Sequence, residues 1–179
     1  DHMTGGFKDG ELIVIAARPS LGKSSLAMNI AEHVGLQKIP VGVFSLEMSA
    51  ESLLQRMLCS IARINLRNVN TGFLNDQEMQ KLADASVSLA SAPIYIDDTR
   101  GLSILQLRSK ARRLQQAFGI GLFIIDYIQL LHSTSRKAEN RQQEVADISS
   151  GLQSLAGELK VPVLMLSQLN REPEKRGSN

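Results

Sequence analysis

The sequence predicts an α/β fold in which a parallel central sheet is flanked by helices on both faces. Short apolar runs alternate with longer amphipathic stretches along the chain, which is the pattern of strand–helix–strand units. No two of these runs are joined by a hairpin turn, so we expect parallel strands with right-handed crossovers. A chain of 179 residues has the size of one domain, and we expect a single domain over residues 1–179.

The predicted strands are near-continuous apolar runs, as expected of strands that are covered on both faces. In chain order they are Leu12–Ala16, Val41–Leu46, Pro93–Asp98, Leu122–Asp126 and Val161–Ser167. Because these strands are expected to be parallel, their carboxyl ends should meet at one edge of the sheet. That edge is where such sheets bind their ligands.

The predicted helices carry start and stop signals. Gly35 is expected to end the first helix. Asn75 with Glu78, and Ser103 with Gln106, resemble capping boxes that begin the third and fourth helices. The predicted helices run from about 23 to 34, 50 to 63, 75 to 89, 103 to 119 and 142 to 160.

The composition excludes several classes of protein. The hydrophobic fraction is 43% and the charges are mixed, which excludes a disordered chain. No apolar run reaches the length of a membrane span, and no signal-peptide pattern opens the chain, so we expect no membrane contact. Cys59 is the only cysteine; it excludes an internal disulfide, favours the reducing cytoplasm and is expected to be buried and inert.

Residues 17–25 have the context of a phosphate-binding loop, because they lie between a predicted strand and a predicted helix. Gly22 allows backbone N–H groups to approach phosphates, and the helix that begins near Lys23 directs its free N–H groups and positive dipole end at the anion. Lys23 would reach the β- and γ-phosphates of ATP, and the Ser24 hydroxyl would bind Mg²⁺. The expected nucleotide-binding residues are Ala17, Arg18, Pro19, Ser20, Leu21, Gly22, Lys23, Ser24 and Ser25.

One position departs from the usual pattern of such loops, which has glycine where Ala17 stands. The alternative is an ordinary strand–turn–helix in which the triplet 22–24 occurs by chance. The flanking strand and helix, with a single mismatch, favour the phosphate-binding loop.

Three further polar residues fall at the same predicted edge of the sheet. Glu47 ends the second strand, Asp126 the fourth and Gln168 the fifth. ATP hydrolysis needs an acidic residue on the magnesium side, an acceptor that orients the attacking water and a group that senses the γ-phosphate. We assign these roles to Asp126, Glu47 and Gln168, respectively. The expected catalytic residues are therefore Lys23, Glu47 and Gln168, and the expected metal ligands are Ser24 and Asp126.

Each of these residues also has a structural interpretation when it is taken alone. Asp126 would terminate a strand, and Glu47 would complement the dipole of the helix that follows it. Their common location at one edge favours the functional interpretation.

The overall charge does not indicate a nucleic-acid-binding protein. The net charge is +2, tryptophan is absent and aromatic residues make up 4% of the chain, so any contact with DNA would use a local basic patch instead of base stacking. The basic helix after the third strand is interpreted as a solvated outer face in preference to a DNA surface. Its basic residues are Arg108, Lys110, Arg112 and Arg113.

These residues resemble a known family, the RecA-like motor domain of the bacterial and phage replicative DNA helicases of the DnaB type. Alanine is usual in that family at the position of Ala17. The resemblance covers nearly the whole chain and is carried by the segments 1–7, 16–24, 44–49, 96–99, 125–130, 139–145 and 166–169.

The resemblance implies a RecA-like P-loop ATPase that uses ATP and Mg²⁺. It implies a homohexamer with ATP sites between subunits, which encircles single-stranded DNA and moves along it 5′ to 3′, with a helicase loader and primase as partners. It further implies that primase meets a separate N-terminal domain, and that a DNA-contacting loop and the arginine finger lie beyond Asn179. We therefore expect this chain to bind ATP but to hydrolyse it weakly alone, because a finger supplies orders of magnitude of rate.

The segment 136–141 is the remaining candidate for a contact with DNA phosphates. Its basic residues are Arg136, Lys137 and Arg141. A solvated loop is an equally good interpretation.

Two other classes of function share the phosphate-binding loop. A nucleotide-gated binding module would assemble on DNA or a partner without turnover, and it would not need Glu47 as a water-activating carboxylate. A RecA-like recombinase or repair ATPase differs in the stretches 45–49 and 140–144, which favour the replicative helicase.

Overall fold

The computed structural model of the protein describes residues 5–131 and 141–169. The strands are β1 (Leu12–Ala17), β2 (Val41–Ser45), β3 (Ile94–Asp97), β4 (Leu122–Asp126) and β5 (Val163–Gln168). The helices are α1 (Lys23–Leu36), α2 (Ala50–Ala62), α3 (Leu66–Thr71), α4 (Asp76–Ala90), α5 (Ile104–Phe118) and α6 (Arg141–Leu159).

Within the described residues, the five strands form one sheet in the order β1-β5-β4-β2-β3. Every neighbouring pair is parallel, which confirms the predicted parallel sheet. The carboxyl ends of the strands therefore lie at a single edge.

The sheet is covered on both faces, as predicted, because successive side chains of a strand point to opposite sides. Phe44, Phe123 and Ile125 pack with residues of α5 and α6 on one face. Val43 and Ile124 pack with residues of α1 and α2 on the other. The strands β2 and β4 are consequently buried along their whole length.

Both predicted capping boxes are present. Asn75 Oδ1 accepts from the N–H of Glu78 at 2.8 Å, and Glu78 Oε2 accepts from the N–H of Asn75 at 3.0 Å. Ser103 and Gln106 exchange the equivalent bonds at 3.3 and 2.9 Å. Each box satisfies two N–H groups that a helix start would leave unpaired, so α4 and α5 begin where their sequences indicate.

The first helix passes through Gly35 instead of stopping there, so this prediction was wrong. α1 ends at Leu36. A Cβ at Gly35 would lie 2.7 Å from Ile94 Cγ1, so the glycine permits a close approach of α1 to β3 and does not serve as a helix end.

One helix and the start of one strand also differ from the prediction. α3 was not predicted because its six residues are too few to show a helical periodicity. The fifth strand begins at Val163 and not at Val161. The N–H of Val161 bonds to the Ala156 carbonyl at 3.3 Å, and Pro162 has no N–H to donate to a strand ladder.

Cys59 is a buried free thiol on α2, as expected. Burial raises its pKa, which disfavours the reactive thiolate. No helix among residues 5–131 and 141–169 combines the length and apolar character that a membrane span requires.

Candidate nucleotide-binding site

The strands β1, β2, β4 and β5 bring the predicted site residues to one edge of the sheet. Ser45 is paired in register with Asp126, and Ala17 with Gln168. A cleft of about 550 Å³ opens at this edge. Its lining residues are Arg18, Pro19, Ser20, Gly22, Lys23, Ser24, Ser25, Glu47, Met48, Arg56, Tyr127 and Gln168.

The cleft contains most of the predicted loop together with Glu47 and Gln168. Two loop residues lie outside its lining. Ala17 ends β1, where its carbonyl accepts the N–H of Leu169 at 3.0 Å, and the Leu21 side chain is 71% exposed. Asp126 is also outside the lining, and its Oδ1 lies 3.8 Å from the Nζ of the lining residue Lys23. The structure thus brings most of the predicted residues together at one cleft, while their individual roles stay predictions.

The loop turns through left-handed backbone at Ser20, with φ of 64°, and at Gly22, with φ of 81°. Gly22 is the N-cap residue of α1, and it has no side chain that would occupy the N–H groups of the first turn. The first helical bond runs from the Leu26 N–H to the Gly22 carbonyl at 2.9 Å. The N–H groups before Leu26 are therefore left for an anionic ligand.

Lys23 lies between a carboxylate and an aromatic ring. Its Nζ is 3.8 Å from Asp126 Oδ1 and 4.4 Å from the centroid of the Tyr127 ring. The side chain is only 10% exposed, so these two neighbours replace much of the water that would otherwise surround the ammonium group. A phosphate in the cleft would meet an ammonium group that is already in place.

Asp126 has the environment of a metal ligand. It is 1% exposed, and among the described residues its Oδ1 has no hydrogen-bond partner. A buried carboxylate oxygen in this state is costly unless a cation compensates it. Carboxylate and hydroxyl oxygens are hard ligands that suit Mg²⁺. Asp126 and the Ser24 hydroxyl at the start of α1 are therefore of the ligand types that suit the predicted ion.

The described residues contain no group of three or more His, Cys, Asp and Glu side chains that would hold a metal ion by themselves. Mg²⁺ is usually bound by one or two protein ligands together with substrate phosphates and waters. A site with a single carboxylate and a hydroxyl agrees with this coordination preference of Mg²⁺.

The segment that carries Glu47 is tied to the Asp126 strand. The N–H of Leu46 donates to the Asp126 carbonyl at 2.7 Å. The Ser45 hydroxyl donates to the Met48 carbonyl at 2.7 Å and closes the turn around Glu47. The backbone of Glu47 is thereby fixed, while its side chain is exposed in the cleft.

The loop after β3 holds the other end of this segment. Asp98 Oδ2 accepts from the N–H of Ala50 at 2.9 Å, at the first residue of α2. Arg100 from the same loop reaches the Glu47 carbonyl at 3.5 Å. Glu47 is therefore presented by a backbone that is held from two strands.

The family model described as the DnaB-like helicase C terminal domain matches residues 1–179. The chain belongs to this family. It is 49% identical over 177 residues to a Bacillus subtilis protein named replicative DNA helicase DnaC, and 50% identical over 177 residues to the Geobacillus stearothermophilus replicative DNA helicase DnaB. These matches cover 98% of this chain but only 39% of each relative.

Two solved structures share the fold of this DnaB-family domain. One is described as a DnaB-like replicative helicase and its interactions with primase; it matches with a TM-score of 0.89 and 30% identity, over 97% of this chain and 42% of that chain. The other is described as the ATPase domain of G40P; it matches with a TM-score of 0.88 and 31% identity, over 96% of this chain and 62% of that chain. The predicted RecA-like fold is confirmed.

Three residues of the cleft were missed from the sequence, namely Met48, Arg56 and Tyr127. Burial raises the pKa of the Tyr127 hydroxyl, and the nearby carboxylates of Glu47 and Asp126 raise it further, so the phenol stays neutral. The position of Tyr127 directly after a strand-end aspartate was an available signal. Arg56 lies well inside α2 and reaches the cleft through helix packing, which no sequence spacing indicates.

The basic helix α5 of this DnaB-family domain is largely paired within the fold. Arg112 donates to Glu158 at 2.6 and 2.8 Å, and Arg108 donates to Glu158 at 3.2 Å. Lys110 Nζ donates to Asp97 Oδ2 at 2.6 Å. These bonds tie α5 to α6 and β3, and they support the predicted outer face over a DNA surface.

The predicted DNA-contacting residues are not tested by the structure. Arg136 and Lys137 lie outside the described residues. Arg141 begins α6, but its side chain is not among those described. Their contact with DNA stays a prediction.

Proposed function

We propose that this chain is the motor domain of a replicative DNA helicase, which hydrolyses ATP to move along single-stranded DNA and to unwind the duplex at the replication fork. The observation that carries the proposal is a cleft lined by both Lys23 and Glu47, in which the Lys23 ammonium lies 3.8 Å from the buried carboxylate of Asp126. Membership of the DnaB family supports it, as do relatives that are named replicative DNA helicases.

The proposed chemistry is divided among the cleft residues. Lys23 and the N–H groups at the start of α1 would hold the β- and γ-phosphates and neutralise the charge that develops on them. Ser24 and Asp126 would hold Mg²⁺, which when bound withdraws charge from the phosphate oxygens. Glu47 would orient the attacking water and accept its proton. Gln168 would contact the γ-phosphate and respond to its loss.

The proposal extends to an assembly and its partners. We expect a homohexamer that encircles single-stranded DNA, with a helicase loader and with primase, which would meet a separate N-terminal domain. One similar structure is described as a DnaB-like helicase with its primase interactions, which supports primase as a partner. The proposed compartment is the cytoplasm.

Steady-state ATP turnover with magnesium tests the motor, measured with and without single-stranded DNA at protein concentrations that drive assembly. The unsubstituted protein and its variants are compared in a version extended beyond Asn179, where the family resemblance implies the arginine finger. Glu47→Gln keeps the shape of the side chain and removes the proton acceptor. We expect kcat to fall by roughly 10²–10⁴-fold, the usual contribution of a general base, with nucleotide affinity retained.

Glu51→Gln is the matched control. Glu51 lies in the first turn of the helix that follows Glu47 and is exposed, outside the lining of the cleft, so this variant should turn over ATP like the unsubstituted protein. If Glu47→Gln binds ATP and is as fast as the unsubstituted protein, the motor is rejected. The nucleotide-gated binding module then replaces it, because such a module needs no water-activating carboxylate.

A further inference from the structure

Gln129 lies in a short 3₁₀ turn (Ile128–Leu130) that follows β4 and Asp126. Its side-chain Nε2 donates to Ser167 Oγ at 3.0 Å and to the Gln168 carbonyl at 2.9 Å. Its Oε1 accepts from the Gln168 N–H at 3.1 Å. The amide of Gln129 therefore pairs with both backbone polar groups of Gln168.

These bonds replace a strand pairing that the sheet does not continue. The ladder between β4 and β5 ends at the pair Ile125–Met165, because the chain turns away after Asp126 while β5 runs on to Gln168. A partly buried backbone group without a partner costs free energy. The amide of Gln129 supplies the donor and the acceptor that a neighbouring strand would have supplied.

The opposite side of Gln168 is paired with β1. Ala17 and Gln168 are register partners, and the Leu169 N–H donates to the Ala17 carbonyl at 3.0 Å. Gln168 is therefore held between the first residue of the phosphate-binding loop and the turn that follows Asp126. Gln168 itself is one of the residues that line the nucleotide cleft.

We infer that Gln129 is a positioning residue, which fixes the Gln168 side chain against the γ-phosphate and so sets the preference of the cleft for ATP over ADP. The inference rests on the proposed nucleotide site. Gln129 acts through the backbone of Gln168 and is outside the cleft lining. Without its amide, the end of β5 keeps the pairing with β1 but loses the restraint on the β4 side, and a contact with a phosphate oxygen needs a fixed donor.

Equilibrium binding of two nucleotides tests the inference. ADP and a non-hydrolysable ATP analogue, each labelled on the ribose with a fluorescent group, are titrated in the presence of Mg²⁺. Gln129→Met keeps the length of the side chain and removes its hydrogen bonds. We expect the preference for the analogue over ADP to fall about tenfold, while the affinity for ADP changes by less than about twofold, because a single hydrogen bond to a charged group is worth about a factor of ten or more.

A double-mutant cycle separates positioning from a general effect on the fold. Gln168→Ala alone should lower the preference by a similar factor. Gln129→Met should add nothing to it, because no side chain is left to be positioned. Gln129→Glu keeps an acceptor for the Gln168 N–H and should retain part of the preference.

Gln80→Met is the matched control for the substitution itself. Gln80 bonds to Asp84 on the exposed side of α4 at 2.9 Å, away from the lining of the cleft. This variant also loses a glutamine hydrogen bond, and both nucleotide affinities should stay unchanged.

The inference would be overturned if Gln129→Met kept the full preference for the ATP analogue over ADP. It would also be overturned if Gln129→Met lowered that preference equally in the presence of Gln168 and in the Gln168→Ala background. Equal affinity of the unsubstituted protein for the two nucleotides would overturn it too. If Gln129→Met does not fold, Gln129→Glu is used in its place. Its preference for the ATP analogue over ADP should then be lower than that of the unsubstituted protein, and an unchanged preference would overturn the inference. Turnover of Glu47→Gln is measured separately, so rejection of the motor and rejection of this inference give different results.

Discussion

Lys23 and Asp126 are close enough to compensate each other's charge and too far apart to be saturated by each other. Their separation of 3.8 Å is longer than a hydrogen bond, so Asp126 Oδ1 keeps its free lone pairs and Lys23 keeps its free protons. Both groups are almost fully buried, which would be costly for either one alone. The two charges therefore compensate each other only in part, and each group keeps the capacity to bind its own ligand, a cation or a phosphate.

Gly42 and Gly157 are predicted to respond in opposite ways to the same substitution. A Cβ at Gly42 would lie 2.6 Å from Phe123 Cε1, and that ring is stacked on Phe44 with centroids 6.1 Å apart, so it has little room to move. Urea unfolding of Gly42→Ala should show a loss of about 1–3 kcal/mol, typical of an overfilled core.

Gly157→Ala supplies the contrast. Gly157 lies within α6 and is exposed, and a Cβ added there would meet no neighbouring side chain within 4 Å. Alanine should therefore raise the free energy of unfolding by about 0.5–1 kcal/mol through the lower flexibility of the unfolded chain. Equal effects of the two substitutions would contradict the packing described around Phe123.

The start of a helix was predictable where the side chains at that start supply hydrogen bonds to its free backbone N–H groups. The capping boxes at Asn75 and Ser103 placed the starts of α4 and α5 correctly, since the signal lies within four consecutive residues. Gly35 misled because a glycine signals either a helix end or a close helix–strand contact, and the sequence does not distinguish them. α3 was not predicted because it is only six residues long.

The contact between α5 and α6 should depend on pH. Hydrogen bonds from Arg112 and Arg108 lower the pKa of Glu158 to about 2, from an ordinary value of 4.5. Because the pKa is lower in the folded state, the carboxylate contributes stability that is fully present above pH 4.5 and is lost as the pH falls from 4.5 to 2. Glu158→Gln should lower the urea midpoint slightly at neutral pH, and the difference from the unsubstituted protein should shrink over that range.

The effect is expected to be small, because these side chains are partly exposed and salt screens them. In an Arg112→Gln background the main donor to Glu158 is gone, so Glu158→Gln should lower the urea midpoint by a smaller amount there. A difference in urea midpoint that does not vary with pH would show that the ion pair is not its source.

For the molecule as a whole, the cleft is the place where the carboxyl ends of β1, β2, β4 and β5 come together. A ligand that binds there should stabilise the entire fold, by about 2.7 kcal/mol when it is present at about 100 times its Kd. We expect Mg²⁺ and ADP together to raise the thermal midpoint, and EDTA to reduce that rise. Asp126→Asn should make the rise nearly independent of Mg²⁺, since it replaces a charged ligand by a neutral amide.

Asp84→Asn is the control for this measurement, because Asp84 is exposed on α4 and outside the lining of the cleft. Its midpoint should respond to Mg²⁺ and ADP like that of the unsubstituted protein. If the thermal midpoint of Asp126→Asn shows the full Mg²⁺-dependent rise, Asp126 is not a ligand of the metal. The proposed role of the phosphate-binding loop would not be affected by that result.

The sequence by itself determined the strands, the long helices, the phosphate-binding loop and the polar residues at the strand ends, because hydrophobic periodicity, capping boxes and the triplet 22–24 act over a few neighbouring residues. Only the tertiary structure decided that β5 lies between β1 and β4. That order places Gln168 beside Ala17 and within reach of Gln129, and the packing of α2 brings Arg56 into the cleft. Strand order depends on how helices pack across the sheet, through contacts between residues that are distant in the chain, and no local pattern encodes it.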